Sequence, residues 1–576
     1  MKRNSRYSLL TFKSRTQGAL LGLLAVTLLL AGCASAPQQR QPAAVATAHP
    51  LATQAALRTL DNGGNAFDAA VTAAAVLGVV EPYSAGLGGG GFWLLRKRSG
   101  ETVLIDAREI APGESRRDMY LDANGDVLSG KPSLNGPRAA AIPGQPAALA
   151  YIGKHYAERP LSANLSDAVR LARTGFRVDA RYRHLATFRK DMLKVYPASA
   201  ETFLVAGDVP PEGELIRQPA LARTLEILGR QGHDGFYQGD VADSLVQDVR
   251  AAGGIWTPRD LADYQVIERQ PLTFRYGNAE VWTTPPPSAG GVALAQMFGM
   301  LEAAPLPTGA DRVARIHHLI ELMRRAYRDR ARFLGDPGFV DIPLDRILSP
   351  DYLARKAASI DPLEATPSTS LGATPADPPG GRHTTHFSIV DGEGNMVAAT
   401  LSINWPFGSA FTSPSTGVLL NDEMDDFSIR PGKPNTYGLV GHAENAIAPG
   451  KRPLSSMTPT IMRTPERTTV IGTPGGSRIP TMVFLGMLES LDGASAEQIV
   501  SAPRFHHQYL PDQIQYEPGA LSSEQRFELE ALGHELKEVG RRYGNMQVVV
   551  VDSANGKRSA AADPRGVGQA IVRPTQ

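Results

Sequence analysis

The feature that most constrains this chain is a turn-rich segment that leads directly into a predicted β-hairpin. Residues 361–382 contain five prolines and end close to Gly380-Gly381, a composition typical of an irregular loop. Residues 384–390 and 396–404 are rich in β-branched and apolar residues, and 391–395 (Asp-Gly-Glu-Gly-Asn) supply turn-forming residues. The sequence therefore predicts two antiparallel strands directly after the loop.

The length of the hairpin loop sets which residues face each other. If residues 391–395 form the loop, Thr384 lies opposite Ser402, since opposed residues of an antiparallel pair share a sheet face. A change of one residue in loop length would destroy this register. Thr400, Ser402 and Asn404 share a face in any register, so polar groups line one side of the second strand.

Thr384 is a candidate nucleophile because of its place at the start of the hairpin. A threonine hydroxyl needs an adjacent base, and the free α-amino group of an N-terminal threonine can serve, with an ordinary pKa of about 7.7 to 8.0. That role requires cleavage of the His383–Thr384 bond. The alternative is an ordinary strand threonine with no chemical role.

Composition and charge indicate a globular protein that does not bind nucleic acid. The chain has 576 residues, of which 42% are hydrophobic and 20% charged, which is ordinary for a globular protein. A formal net charge of +1 provides no basic field, so we expect no nucleic-acid partner.

Helical and strand patterns alternate along the chain. Helices are predicted at 51–60, 66–79, 161–174, 221–231, 241–252, 291–304, 312–333, 479–491 and 523–532. Further strands are predicted at 92–95, 102–106, 279–284, 468–472 and 546–551. The mixture predicts an α/β or α+β fold.

The N-terminus has the pattern of an export signal. Several basic residues precede an apolar run at 19–31, and Leu30-Ala31-Gly32-Cys33 resembles a bacterial lipobox. This predicts a signal peptide over 1–32, lipid on Cys33 and a tether over 33–48. The expected location is the bacterial cell envelope, at the outer membrane facing the periplasm in a Gram-negative cell. The alternative is a plain signal peptide with a chance cysteine.

Other catalytic chemistries find little support in the sequence. Cys33 is the only cysteine, so a lipidated chain has no thiol for a disulfide or for catalysis. His534-Glu535 lacks the second histidine of a zinc-binding H-E-x-x-H motif, and no G-x-S-x-G motif occurs. The glycines at 86–91 follow a helix and precede a strand, the reverse of a dinucleotide site. We expect no metal and no cofactor.

Ordered motifs from about His49 to the C-terminus resemble the γ-glutamyltransferases, self-processing members of the N-terminal-nucleophile hydrolases. The motifs are 384–388 (TTHFS), 88–92 (GGGGF), 106–109 (DARE), 285–291 (PPPSAGG), 421–427 (NDEMDDF), 451–457 (KRPLSSM) and 474–478 (PGGSR). The resemblance implies a four-layer αββα sandwich, a large subunit over 49–383 and a small subunit over 384–576. It also implies glutathione or another γ-glutamyl compound as donor and water, an amino acid or a peptide as acceptor.

The resemblance also assigns roles to individual residues. It places the donor carboxylate on Arg108, Ser455 and Ser456. It places the donor ammonium on Asn404, Glu423 and Asp426. It assigns stabilisation of the oxyanion to the backbone N–H groups of Gly475 and Gly476. These side chains suit the task, because arginine offers a bidentate fork and two carboxylates complement a cation.

A Pro-, Gly- and Asn-rich loop at 430–450 matches the family lid, with Tyr437 at the pocket wall. This loop favours a transferase over acylase relatives that lack it. Two positions depart from the common family pattern, where threonine often replaces Ser402 and glutamine often replaces Glu423. Both substitutes keep a hydroxyl or an acceptor oxygen.

Two other functions remain open at this stage. One is a β-lactam acylase of the same superfamily, which would hydrolyse glutaryl-cephalosporin amides. The other is a non-catalytic lipoprotein that binds γ-glutamyl or cell-wall peptides and needs no cleavage at Thr384.

We predict that wild-type protein matures into two chains, 33–383 and 384–576, held together without a disulfide. Thr384→Ala should leave one inactive, uncleaved chain, whereas Thr384→Ser should still process and turn over, because serine keeps the hydroxyl. Denaturing gels and N-terminal mass analysis measure this. An active Thr384→Ala chain would remove the nucleophile assignment.

Overall fold

Two β-sheets packed face to face form the centre of the molecule. The computed structural model describes residues 41–306, 309, 311–372, 384–433, 435 and 438–574. The signal peptide predicted over 1–32, and Cys33, His383 and Tyr437, lie outside the described residues.

The strands within these ranges are numbered in chain order. They are β1 (Ala43–Thr47), β2 (Gly90–Arg96), β3 (Thr102–Ala107), β4 (Phe176–Arg177), β5 (Leu215–Ile216), β6 (Ile267–Arg269), β7 (Leu272–Tyr276), β8 (Ala279–Thr283), β9 (Thr385–Val390), β10 (Met396–Ser402), β11 (Thr460–Arg463), β12 (Arg467–Gly472), β13 (Phe505–His506), β14 (Ile514–Tyr516), β15 (Leu536–Glu538), β16 (Gln547–Asp552), β17 (Arg558–Ala562) and β18 (Gln569–Arg573).

The α-helices are numbered in the same way. They are α1 (Pro50–Asp61), α2 (Ala66–Val80), α3 (Gln145–His155), α4 (Leu161–Thr174), α5 (Ala180–Val195), α6 (Pro197–Phe203), α7 (Pro219–Gln231), α8 (Asp234–Tyr237), α9 (Gly239–Ala251), α10 (Pro258–Ala262), α11 (Gly290–Ala303), α12 (Arg312–Phe333), α13 (Leu344–Ile347), α14 (Pro350–Ala358), α15 (Ile479–Leu491), α16 (Ala496–Ser501) and α17 (Ser523–Ala531). Each helix and strand predicted from the sequence is present, with ends shifted by at most two residues.

The predicted hairpin is the centre of the first sheet. Its seven strands run in the order β18-β1-β9-β10-β2-β3-β6, so β9 and β10 are flanked on both sides. Met396 pairs with Val390 and Leu401 with Thr385, which is the register expected from a five-residue loop. The same register continues to Thr384 opposite Ser402.

The second sheet has six strands in the order β17-β16-β12-β11-β8-β7, and β9 and β10 pack against its strands β12 and β16. Alternate residues of the first sheet belong to two different cores. Trp93 and Phe387 lie in the core with α1, α2 and α4, whereas Phe92 and Val390 lie in the core with the second sheet. The latter core also holds residues of α11, α12 and α15. Helices therefore cover the outer face of each sheet, which confirms the four-layer αββα sandwich.

The tether predicted over 33–48 is wrong for its last part. Residues 43–47 form the buried strand β1, which pairs with both β9 and β18. Their sequence, Ala-Ala-Val-Ala-Thr, has small side chains that fit between the helical layer and the second sheet. The folded body therefore begins before residue 49.

Both sheets contain strands from either side of Thr384. In the first sheet β9, β10 and β18 lie after Thr384, and β1, β2, β3 and β6 precede it. In the second sheet β7 and β8 precede it. Cleavage before Thr384 would therefore leave two chains joined by strand hydrogen bonds and shared cores. Among the described helices, none has the length and apolarity to cross a bilayer.

Several histidines are buried in a neutral state. His386 of β9 lies between the sheets, with Nδ1 2.8 Å from Thr400 Oγ1 and Nε2 3.2 Å from Ser388 Oγ. Burial lowers the pKa of His386 to about 3. Burial likewise lowers the pKa of His534 to about 3 and that of His507 to about 4. These folded-state values lie below the ordinary value, so the unfolded chain binds protons first as the pH falls.

We predict a loss of folding stability from pH 6.5 downward, at about 1.4 kcal/mol per pH unit for each such histidine. The test uses the Thr384→Ala variant, which should stay a single chain. In that background His386→Asn should reduce the dependence of the unfolding free energy on pH by about 1.4 kcal/mol per pH unit. Urea unfolding at pH 7, 5.5 and 4.5 measures the slope. His155→Asn is the control, because His155 is exposed. An unchanged slope in His386→Asn would contradict a neutral buried imidazole.

Candidate active site

Thr384 lies at the start of β9 and faces the space between the two sheets. Residues 384, 386, 388 and 390 share a face, and His386 and Ser388 on that face contact β10 and the second sheet. Thr384 is buried, and its Oγ1 lies 3.4 Å from Ser402 Oγ. The structure thus places hydroxyl against hydroxyl, as the hairpin register predicts.

The chain turns sharply after Ser402 and brings Asn404 back to the same place. Ser402 Oγ accepts the backbone N–H of Asn404 at 2.8 Å. Asn404 has φ +72°, a left-handed conformation that asparagine tolerates better than most residues. Its Nδ2 donates to the Asp422 carbonyl at 3.0 Å, which fixes the side chain beside the segment that carries Glu423.

Arg108 is a buried cation surrounded by carboxylates. It follows β3, and its side chain is 1% exposed. Nη1 lies 2.8 Å from Glu423 Oε2 and 3.3 Å from Glu109 Oε2, while Nη2 donates to Asp426. Glu423 and Asp426 both lie on the short 3₁₀ helix Glu423–Asp426. Arg108 and its expected partners for the donor therefore form one network.

The carboxylates of this network outnumber its cation. Burial raises the pKa of Glu423 well above its usual range, and Arg108 only partly offsets this effect. Burial also raises the pKa of Glu109 to about 7. Burial opposes the charge on Arg108, but the carboxylates of Glu423 and Asp426 outweigh it and raise the pKa of the guanidinium. A further cation close to Glu423 and Glu109 would favour their charged forms.

Ser455 and Ser456 line the same cavity as Arg108 and Thr384. The Ser455 N–H donates to the Pro287 carbonyl at 2.8 Å, and the Ser455 carbonyl accepts the Ala289 N–H, so the backbone is held on both sides. Ser456 Oγ is buried and makes no hydrogen bond to any described residue. It is therefore available to a ligand oxygen.

The glycine turn after β12 has the backbone that the predicted oxyanion role needs. Gly475 and Gly476 have φ +150° and +57°, in the region that favours glycine, and a Cβ on Gly475 would collide with Met482. Tyr327 of α12 donates to the Ser477 carbonyl and holds the turn. Neither glycine N–H donates to another residue in the described ranges.

One cavity, with about 340 Å³ of empty space, collects most of the predicted site residues. Its walls include Arg108, Thr384, Ser402, Asn404, Glu423, Asp426, Ser455, Ser456 and Gly476. Gly475 is adjacent in the turn. No three potential metal-ligating side chains cluster within the part of the chain that is described, and the absence of a metal stays a prediction.

Two residues of the site were missed by the sequence reasoning. Glu109 follows Arg108 in the 106–109 motif, but nothing in that motif shows that the two side chains form an ion pair. Arg330 of α12 lines the cavity and is only 6% exposed. Basic residues are frequent throughout this helix, so its sequence carries no signal that singles out Arg330.

The fold and this site define an N-terminal-nucleophile hydrolase. In this class a threonine stands at the beginning of a central strand and faces the space between two sheets. A profile described as Gamma-glutamyltranspeptidase matches residues 52–573. The chain is 39% identical over 537 residues to the glutathione hydrolase proenzyme of Escherichia coli K12, covering 92% of each chain. The chain therefore belongs to the gamma-glutamyltranspeptidase family and is an enzyme.

Solved structures agree with this membership. The cephalosporin acylase of Bacillus halodurans superposes with a TM-score of 0.81 at 27% identity, covering 93% of this chain and 98% of that one. The gamma-glutamyltranspeptidase of Helicobacter pylori has a TM-score of 0.54 at 36% identity, covering 56% of this chain and 92% of that one.

We predict that Arg108→Lys raises the KM for a γ-glutamyl anilide by about 30-fold and leaves self-cleavage intact. Lysine keeps the charge but loses the bidentate fork, a loss of about 2 kcal/mol. Steady-state kinetics and a denaturing gel measure both effects. Arg116→Lys, at an exposed arginine, is the control. Unchanged kinetics in Arg108→Lys would place the donor carboxylate elsewhere.

Proposed function

We propose that this protein is a self-processing γ-glutamyltransferase and glutathione hydrolase that uses Thr384 as its nucleophile. The observation that carries the proposal is the position of Thr384 Oγ1, 3.4 Å from Ser402 Oγ, in a cavity lined by Arg108 and Glu423. A γ-glutamyl donor has a carbonyl to attack and a distant carboxylate and ammonium to hold. The cavity contains side chains for each of these groups.

The catalytic cycle has two steps. Thr384 Oγ attacks the γ-carbonyl, its proton passes to the free α-amine, and the leaving amine takes that proton as the amide C–N bond breaks. The γ-glutamyl ester is then resolved by water or by an amine acceptor, and the proton returns to Thr384 Oγ. The N–H groups of Gly475 and Gly476 stabilise the oxyanion in both steps. The hydrolase and transferase activities therefore belong to one enzyme and differ only in the acceptor, which is water or an amine.

The donor's two α-groups bind to different side chains of the cavity. Its carboxylate takes Arg108, Ser455 and Ser456, and its ammonium takes Asn404, Glu423 and Asp426. Arg108 pairs with Glu423 and Asp426 in the structure. On binding, these ion pairs are shared with the donor's carboxylate and ammonium, so each buried charge keeps a partner.

Maturation uses the same atom as turnover. Thr384 Oγ attacks the His383 carbonyl, an N-to-O acyl shift gives an ester, and water cleaves it to free the α-amine. Ser402 Oγ is close enough to orient the attacking hydroxyl. The mature protein is then a complex of two subunits cut from one precursor. Its substrates are a γ-glutamyl donor and an amine acceptor.

A β-lactam acylase is the second candidate, because a cephalosporin acylase superposes along nearly the whole chain. Purified mature enzyme should release p-nitroaniline from γ-glutamyl-p-nitroanilide at least 100-fold faster than it hydrolyses glutaryl-7-aminocephalosporanic acid. Thr384→Ala is the control for both activities. The reverse preference would favour the acylase, and binding without turnover by wild-type enzyme would favour a peptide-binding lipoprotein.

The proposal includes a lipid anchor on Cys33 and a place in the bacterial cell envelope. Its support is the lipobox-like Leu30-Ala31-Gly32-Cys33, since Cys33 is the only thiol available. We predict that Cys33→Ser leaves an unlipidated precursor that moves from the detergent phase to the aqueous phase. Detergent partitioning and N-terminal mass analysis measure this. Wild-type protein that begins at an unmodified residue and washes off membranes in salt would contradict the anchor.

A further inference from the structure

The turn that carries Gly475 and Gly476 is fixed through its carbonyl groups. In a trans peptide the C=O and the N–H of one planar group point in opposite directions, so a hydrogen bond to the carbonyl also sets the direction of the N–H. The peptides that contain the two glycine N–H groups are both trans. Each of them presents its carbonyl oxygen to a donor of the protein. These donors therefore set the directions of the two N–H groups.

The N–H of Gly475 is oriented through Thr473. This N–H shares a peptide with the Pro474 carbonyl, which accepts the hydroxyl of Thr473 at 2.9 Å. Thr473 Oγ1 also accepts the backbone N–H of Asn545 at 3.3 Å, so a second contact holds the hydroxyl in place. Thr473 is buried directly after strand β12. Its hydroxyl is therefore a fixed donor to the Pro474 carbonyl.

The N–H of Gly476 is oriented in two steps. It shares a peptide with the Gly475 carbonyl, which accepts the N–H of Arg478 at 3.2 Å. The Arg478 N–H belongs to the same peptide as the Ser477 carbonyl, and that carbonyl accepts the hydroxyl of Tyr327. Burial raises the pKa of the Tyr327 phenol above its usual value, so the phenol keeps its proton and acts as the donor.

Tyr327 and Thr473 hold the turn from two parts of the chain. Tyr327 lies on α12, which precedes Thr384, and it is only 1% exposed. Its ring packs edge-on against that of His506, with the ring centroids 5.6 Å apart. Thr473 follows Thr384 in the sequence. After cleavage before Thr384, the turn would therefore be held by one residue from each of the two chains.

We infer that Tyr327 and Thr473 are positioning residues that aim the two oxyanion donors, Tyr327 for the Gly476 N–H and Thr473 for the Gly475 N–H. The inference rests on the proposed function. When Thr384 Oγ attacks, the π-electron pair of the γ-carbonyl moves to its oxygen, and it returns when the leaving amine departs. Donors that already point at this oxygen need no reorganisation as its charge develops.

The two hydroxyls should affect kcat rather than KM. Tyr327→Phe and Thr473→Val each remove one hydroxyl and keep most of the side-chain volume. We expect each to lower kcat for γ-glutamyl-p-nitroanilide about tenfold, less than the loss of a whole oxyanion donor, because the N–H remains but is misdirected. The donor KM should change by less than about twofold. Rates are normalised to the amount of cleaved chain on a denaturing gel.

A pair of inhibitors gives a readout that general structural damage would not move. In the γ-boronic acid analogue of glutamate, boron accepts an electron pair from Thr384 Oγ, whose proton passes to the α-amine. The tetrahedral adduct places an oxygen at the oxyanion position and so resembles the transition state. L-Norvaline has the same α-groups but no oxygen there. The ratio of the norvaline Ki to the boronate Ki should fall about tenfold in both variants, with the norvaline Ki unchanged.

The chain offers a rescue variant and matched controls. Thr473→Ser keeps the hydroxyl and should retain the wild-type ratio. Tyr509→Phe and Thr469→Val should retain it too, because their hydroxyls have partners outside the turn. Tyr509 donates to the Leu371 carbonyl at 3.3 Å, and Thr469 Oγ1 lies 2.7 Å from Ser490 Oγ.

An unchanged Ki ratio in Tyr327→Phe would overturn the role of Tyr327, and an unchanged ratio in Thr473→Val would overturn that of Thr473. Equal rises in both Ki values would also overturn the inference, because they indicate damage to the whole site. If Tyr327→Phe does not fold, the comparison of Thr473→Val with Thr473→Ser decides the inference. Wild-type protein that neither turns over the donor nor binds the boronate more tightly than norvaline would instead contradict the proposed function.

Discussion

The hydrogen-bond register between β9 and β10 is the constraint on which the rest of the site depends. With five residues in the loop, Thr384 meets Ser402 on the face between the sheets. A slip of one residue would turn Thr384 toward the helical layer, where Phe387 and Ile389 pack. Five strands flank the pair in the same sheet, so many hydrogen bonds hold this register. The position of the Thr384 hydroxyl, the proposed nucleophile, is therefore set by the strand pairing at the centre of the sheet.

The proposed oxyanion donors follow a strand of the second sheet. Strand β12 runs beside β9 and β10 and ends at Gly472, just before the turn that carries Gly475 and Gly476. A Cβ at Gly472 would collide with the ring of His386, so the two sheets approach closely at this point. The proposed nucleophile and the proposed oxyanion donors thus come from different sheets, and the distance between them depends on how the two sheets pack.

The sequence predicts local features and motif residues well and long-range pairing poorly. Helices such as α2 follow from Ala-rich runs with a capping box at Asn65 and Asp68, and the hairpin follows from its turn residues. Strand β1 could not be predicted, because its five small residues are buried on both faces and show no alternation. The burial of Arg330 depends on loops far away in sequence. The partners of Arg108 depend on which charges share its cavity, which no local pattern shows.

The charge balance of that cavity bears on which acyl group the enzyme prefers. A γ-glutamyl group brings both a carboxylate and an ammonium, so it adds no net charge beside the network of Arg108 with Glu109, Glu423 and Asp426. A glutaryl group brings the carboxylate alone. It would compete with Glu423 and Asp426 for Arg108 and would bring no ammonium to balance the added negative charge. Burial raises the pKa of Glu423, and the neighbouring Glu109 and Asp426 raise it further. The cavity therefore suits the zwitterionic γ-glutamyl group through the ammonium, although both groups would present the same carbonyl to the proposed nucleophile Thr384.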